Sequence, residues 1–244
     1  RLLCENDADE RNIFMLEALK KEVYEANMKL TEYGLAPFTW GNASGIDREM
    51  GLVVIKPSGV PYADLSPDKM VVVDLDGNCV ESALSPSSDT ATHLALYRAF
   101  SEIGGVVHTH SPHAVAFAQA GRDIPAYGTT HADFAYGDVP CAEALTDEEI
   151  ESEYEKNTGL VIIRCFHKRK LDPLAIPAVL VKNHGPFTWG KNAQKAAENA
   201  AVLEIIAGMA METEMLGGRT PVGDKLLAKH YLRKHGKNAY YGQK

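Results

Sequence analysis

Apolar positions along the chain switch between a helical and a strand-like period several times. Leu16, Leu19, Val23, Ala26 and Leu30 recur at helical spacing, which predicts an amphipathic helix over Leu16–Glu32 with Gly34 as its stop. Leu52–Ile55 and Met70–Asp74 are short apolar, Val-rich runs and read as strands. The first ends at Pro57-Ser-Gly59, and Asp76-Gly77 places a hairpin turn after the second. Thr39–Gly45 and Ser85–Ser88 are rich in turn formers and read as loops. Asp89 or Ser88 caps a helix over Thr90–Phe100, which Gly104-Gly105 breaks. Val106–His110 follows as a short strand and Ala114–Ala120 as a short helix.

In the C-terminal half, Thr146–Asn157 reads as an acidic, exposed helix with Thr146 as its N-cap. Gly159–Lys168 fits two patterns. Val161, Ile162, Cys165 and Phe166 share a helix face, yet the run also suits a strand. Ala178–Lys182 is a buried-type strand ending at Asn183-His184-Gly185. Ala193–Leu216 is a long Ala-rich helix, and Lys225–Lys234 a short one before a polar tail. Strands joined by tight turns, with helices in separate runs, predict an α/β fold of three layers: a mostly antiparallel central sheet flanked by helices. No linker divides the chain, so residues 15–244 are expected to form a single domain, with Arg1–Phe14 an extension outside it. Phe38-Thr-Trp-Gly and Phe187-Thr-Trp-Gly190 match each other but are too short for a structural repeat.

Composition narrows the function. The 244 residues include 25 Lys+Arg and 33 Asp+Glu, a net charge of −8. That balance argues against non-specific binding to nucleic acid or an anionic membrane, and an anionic substrate would need a local patch. No apolar run approaches the roughly 18–20 residues of a membrane span, so a soluble cytoplasmic protein is expected. Cys4, Cys79, Cys141 and Cys165 contain no Cys-x-x-Cys pair, which disfavours a disulfide framework or a thiolate zinc site.

Histidines carry the first chemical signal. His108 and His110 form His-x-His on an expected strand, whose period of two puts both rings on one face. His184 ends a second expected strand beside Gly185, which would let the backbone bend sharply. Together they offer three imidazoles to one metal with an open position, although His-x-His also arises by chance. Asp89 is either a helix N-cap or a group at that metal. Asp133, in Thr129-Thr-His-Ala-Asp133, reads by pattern as a solvated loop residue. Gly41-Asn42, Ser58-Gly59 and Ser87-Ser88 are turn-like places where backbone N–H groups and hydroxyls could cradle an anion, with the Lys56 charge beside Ser58. No Walker or Rossmann pattern is present. The tail, basic on an acidic protein and holding Tyr240-Tyr241, either frays or docks at a site.

Taken together, Thr39-Trp-Gly-Asn42, Lys56-Pro-Ser-Gly59, Ser87-Ser-Asp89, His108-Thr-His110, Thr129-Thr-His-Ala-Asp133, His184-Gly-Pro-Phe187 and His230–His235 with Tyr240-Tyr241-Gly242 resemble the L-ribulose-5-phosphate 4-epimerases of the class II aldolase/adducin superfamily. These pieces span residues from about Met15 to the end, in the family's order. Asp at position 89 and the tyrosine-bearing tail point to the epimerase branch, since the related sugar aldolases carry Glu there. The resemblance implies that His108, His110 and His184 bind one Zn²⁺ per subunit, with Asp89 as a further ligand. It implies that Gly41, Asn42, Lys56, Ser58, Gly59, Ser87 and Ser88 hold the sugar phosphate, and that Asp133 and Tyr241 are the acid/base pair. It further implies a homotetramer with sites at subunit interfaces, serving pentose-phosphate carbohydrate metabolism such as arabinose catabolism.

The chemistry suits this residue set. C4 of ribulose 5-phosphate is one carbon too far from the C2 carbonyl for its hydrogen to be acidic. Breaking C3–C4 as a retro-aldol, rotating glycolaldehyde phosphate and re-forming the bond inverts C4 without a redox cofactor. Two acid/base groups on opposite sides of the aldehyde are then needed. Three rival readings remain: a class II sugar-phosphate aldolase that releases the fragments, a three-histidine zinc hydrolase, and an adducin-like module without catalysis.

Overall fold

The computed structural model describes the backbone of residues 2–241 and the side chains of residues 16–241. Helix α1 (Leu2–Glu32) begins earlier than the periodicity predicts, and Gly34, at φ 70°, ends it as expected. Eight strands follow: β1 (Asn42–Asp47), β2 (Leu52–Ile55), β3 (Val71–Asp74), β4 (Cys79–Glu81), β5 (Gly105–His108), β6 (Cys141–Ala142), β7 (Ala178–Val181) and β8 (Gly185–Gly190). The remaining helices are α2 (Thr90–Ala99), α3 (Pro112–Ala120), α4 (Thr129–Ala132), α5 (Asp147–Glu151), α6 (Tyr154–Arg169), α7 (Ala193–Met215) and α8 (Asp224–His235). The sheet order is β4-β3-β2-β1-β5-β8-β7-β6, antiparallel throughout except for the β6–β7 pair.

Alternation along the strands assigns each layer. Val53, Ile55, Val106, Val179 and Val181 pack with Leu94 and Tyr97 of α2 and Phe166 of α6. Their neighbours Val54 and Val107 turn to the other face, against Val23 and Leu30 of α1 and the alanines of α7. Ala178 and Leu180 meet α3 and the later part of α7 on that side. The expected three-layer architecture is therefore present.

Several elements differ from the sequence expectation. Thr39–Gly45 is not all loop: β1 starts at Asn42 and lies between β2 and β5. Its small residues suit a crowded place, since a Cβ at Gly45 would lie 2.9 Å from Leu19 Cδ1 and 3.0 Å from Val23 Cγ2. The strand carrying His108 stops there, with His110 just beyond it. The acidic helix is short, with Thr146 forming the expected cap as part of a capping box. It ends at Ser152, where the backbone leaves helical geometry (φ −96°, ψ −116°), and Asn157 Nδ2 donates to the Glu149 carbonyl left open there. Gly159–Lys168 resolves as helix. Phe187-Thr-Trp-Gly190 forms most of the unforeseen strand β8.

Gly159 shows why α6 reads ambiguously. A Cβ there would lie 2.6 Å from Ala95 Cβ and 3.1 Å from the Thr92 carbonyl of α2. Replacing Gly by Ala in a helix normally gains about 1 kcal/mol. Overpacking against a neighbouring helix costs about 1–3 kcal/mol. Contact wins at 2.6 Å, so Gly159→Ala is expected to destabilise the fold by up to about 2 kcal/mol in urea unfolding. A stabilised variant would contradict the close α2–α6 packing.

Candidate active site

Two joints bring the polar residues together. Antiparallel pairing of β1 with β5 sets Asn42 opposite His108. Gly41 permits the turn before it, at φ 77°, where a Cβ would lie 3.0 Å from the His108 carbonyl. Second, the turn after β2 is stitched to the loop before α2. Ser87 N–H donates to the Lys56 carbonyl (3.0 Å), Ser58 N–H donates to the Ser85 carbonyl (2.9 Å), and Pro57 bridges Pro86. Ser87 and Ser88 thereby lie just before the N-terminus of α2, where the helix dipole favours an anion, and Ser58 lies beside Ser85 on the same joint.

The three histidines meet. Ligand-capable atoms of His108, His110 and His184 all lie within 4.8 Å of one another. His108 is buried and stacks on Phe187 with 4.2 Å between ring centroids. Its Nδ1 lies 2.9 Å from the Pro186 carbonyl, so the proton sits on Nδ1 and Nε2 is free. That Nε2 lies 3.1 Å from His110 Nε2. His110 is exposed, with the Trp40 ring 6.2 Å away. His184 lies on the β7–β8 turn, its Nδ1 3.4 Å from the Tyr154 hydroxyl. The sharp bend there is made by Asn183, at φ 64°, and not by Gly185. Gly185 serves a close approach instead: its Cβ would lie 2.9 Å from the Thr109 carbonyl.

Burial, with His108 next in size, pushes His184 down to about 3 and also lowers His110. Both shifts favour the neutral imidazole, the form that binds a metal, at His184 and His110. A three-nitrogen donor set with one ring already oriented by a carbonyl fits a divalent ion of the zinc type.

Asp89 flanks this group. It occupies the N-cap position of α2 but makes no capping bond; Asn42 Nδ2 donates to its Oδ2 at 2.6 Å and to Ser87 Oγ at 3.1 Å. Burial raises the Asp89 carboxyl, but His108, His93, the Asn42 amide and His184 outweigh it and hold the group below the usual carboxylate value. Lys56 is buried and turned into its own loop, donating to the Val60 carbonyl (3.0 Å) and the Pro57 carbonyl (3.3 Å). Burial lowers its pKa.

Asp133 and Tyr241 lie in a second place. Asp133 is not a free loop residue: it follows α4 and accepts from His230 Nδ1 (3.0 Å) and Arg233 Nη2 (2.7 Å), with Lys234 Nζ at 3.4 Å. Burial raises its carboxyl, but Arg233, His230 and Lys234 together hold it below the ordinary range. The tail folds back on this patch, with Arg233 4.5 Å from the Tyr241 ring centroid. Gly242 lies outside the described residues. Among the described residues no hydrogen bond, ion pair or ring contact joins this patch to the three histidines. A cleft of about 900 Å³ beside Asp133 is lined by Trp189, Lys191 and Lys234 but by none of them.

Sequence reasoning missed His93, Tyr154 and the cations around Asp133. His93 was legible, because Asp89, His93 and Tyr97 recur at four-residue steps on one helix face. Tyr154 carried no local signal.

Comparison with known proteins gives the fold and site a family. Residues 21–211 match the class II aldolase and adducin N-terminal domain. The chain is 57% identical over 230 residues to the L-ribulose-5-phosphate 4-epimerase UlaF of Salmonella paratyphi A, covering 94% of this chain and all of that one. Among solved structures it is similar to an L-fuculose 1-phosphate aldolase (TM-score 0.74, 27% identity, 87% of this chain and 94% of that one). It is also similar to YgbL of Escherichia coli, titled a putative aldolase/epimerase/decarboxylase (TM-score 0.68, 25% identity, 88% and 98% covered). The chain belongs to the class II aldolase/adducin superfamily and, within it, to the branch of the L-ribulose-5-phosphate 4-epimerases.

The buried histidines predict a pH dependence. In the folded chain His93 and His184 are pushed from 6.5 to about 3, burial being the main cause in each. Below pH 6.5 the unfolded chain binds protons that the folded chain refuses, so stability falls as pH drops from about 6.5 toward 3. Each group contributes at most about 1.4 kcal/mol per pH unit. Urea unfolding with a chelator present is expected to show this loss between pH 6.5 and 4.5 and a plateau above. A profile without slope in that window would contradict the buried neutral rings.

Proposed function

We propose that the chain interconverts L-ribulose 5-phosphate and D-xylulose 5-phosphate by breaking and re-forming C3–C4. One Zn²⁺ per subunit would be held by His108, His110 and His184, with Asp89 as a further ligand. The observation that carries this is the cluster of three imidazoles beside Asp89 and Asn42. The 57% identity to an epimerase of that name supports the substrate. Bound zinc would supply Lewis acidity, drawing charge from the carbonyl and hydroxyl oxygens and lowering the barrier by several kcal/mol.

The chain's own residues do the rest. Gly41, Asn42, Lys56, Ser58, Gly59, Ser87 and Ser88 hold the substrate, chiefly its phosphate, so the two-carbon fragment stays bound while it rotates. Lys56 contributes by shaping its turn, because its amine is tied to carbonyls. Asp133, ionised at neutral pH, takes the C4 hydroxyl proton as C3–C4 breaks. Tyr241, across the aldehyde, returns a proton after rotation. Each half of this machinery exists in the chain without touching the other. A neighbouring copy in a homotetramer would present its Asp133–Tyr241 patch to these imidazoles. Residues 15–244 form the domain, and the enzyme works in the cytoplasm.

A second reading, a sugar-phosphate aldolase that releases its fragments, is favoured by the likeness to the L-fuculose 1-phosphate aldolase fold (TM-score 0.74). Incubation with L-ribulose 5-phosphate separates the two. D-xylulose 5-phosphate is expected as the main product, and free glycolaldehyde phosphate in its place would overturn epimerisation. His110→Asn is expected to lose both bound metal and turnover; normal turnover without the ring would end the zinc assignment. Tyr241→Phe is expected to lower kcat by about 10²–10⁴-fold with metal still bound. If removing residues 240–244 left the rate unchanged, the shared-site assembly would be wrong.

A further inference from the structure

One face of α2 and one face of β1 form a polar ladder under the site. Asn42 bonds to Asp89, and Ser44 Oγ lies 2.7 Å from His93 Nδ1 and 2.8 Å from the Tyr97 hydroxyl oxygen. His93 is completely buried.

The hydrogens in this ladder can be assigned by elimination. Among the described residues the Tyr97 hydroxyl makes one hydrogen bond, to Ser44 Oγ, so its proton goes there. The Ser44 proton then goes to His93 Nδ1. Burial pushes the His93 imidazole down to about 3, so the ring is neutral and carries its one proton on Nε2. On the next rung, the Asn42 amide NH₂ donates to Asp89 Oδ2 at 2.6 Å and to Ser87 Oγ at 3.1 Å. Its Oδ1 therefore points away from Asp89. The result is one buried donor, His93 Nε2–H, and one buried acceptor, Asn42 Oδ1, neither of which has a partner among the described residues. A buried polar group left unpaired costs about 1–3 kcal/mol. The two are chemical complements on neighbouring rungs.

We propose that His93 is a positioning residue for the Asn42–Asp89 pair. Its Nε2–H serves Asn42 Oδ1 across one water, and so locks the amide with its NH₂ on Asp89 and Ser87. Released from this hold, the Asn42 amide could flip and set its oxygen against a carboxylate. The proposal rests on the reading of Asn42 and Asp89 as site residues. It adds a buried histidine that touches neither substrate nor metal.

Paired substitutions in the zinc-loaded enzyme test it. His93→Asn keeps a polar group where Nδ1 meets Ser44 but loses the outer donor. His93→Gln places its amide nitrogen where Nε2 sits. Expected are a fall of about 10–100-fold in kcat/KM and weaker zinc retention against a chelator for His93→Asn. His93→Gln should stay within about threefold of the parent, a gap smaller than that range. Imidazole ¹⁵N resonances should show the His93 proton on Nε2. Equal losses in both variants, wild-type behaviour of His93→Asn, or a proton on Nδ1 would each overturn the proposal. Should His93→Asn fail to fold, Ser44→Ala removes the tautomer control instead, and unchanged kcat/KM and zinc retention there would overturn it too. A parent enzyme that makes no D-xylulose 5-phosphate would sink the proposed reaction, while the nitrogen resonances and zinc retention still decide the role of His93.

Discussion

The register between β1 and β5 is the constraint from which the site follows. With Asn42 opposite His108, one amide reaches Asp89 and one imidazole reaches its two partners from the same end of the sheet. On the other side, β5 pairs with β8 so that Phe187 lies opposite His108, and the stacked ring fixes the imidazole plane. A slip of one residue in either pairing would turn these side chains to the opposite face and empty the site. Glycines at 41 and 185 admit the close backbone approaches that this register requires.

Electrostatics follow from burial. The protein carries a net charge of −8, yet His184 and His110 are pushed toward the neutral form, because their rings are enclosed and crowd His108. Acidic groups act locally: Asp89 stays ionised beside the imidazoles, and Asp133 stays ionised within a cage of basic side chains. The chain therefore separates a cluster of imidazole nitrogens from a patch of charged groups around Asp133.

Much of this was readable from the residues, and the exceptions have physical causes. β2 and β3 announce themselves as apolar runs rich in Val, and α7 through its alanines. β1 hides because Asn-Ala-Ser-Gly is the language of turns, while its strand geometry is imposed by partners on both sides. The same tripeptide, Thr-Trp-Gly, ends in opposite surroundings: Trp40 is 53% exposed in a loop and Trp189 is 1% exposed in β8. Local pattern cannot make that distinction, because tertiary burial decides it. The histidine triad was visible as spacing. Whether Asp89 would cap its helix or face the imidazoles was not, since the choice depends on Asn42 arriving from 47 residues away.

The joint between the turn at 56–59 and the loop at 85–88 is made of main-chain hydrogen bonds and a proline–proline bridge. Side chains at Ser58 and Ser88 face outward from that joint and carry none of its load. The frame of this corner is thus uncoupled from the side chains it displays. Either serine can be exchanged for another residue without first having to re-stabilise the loops.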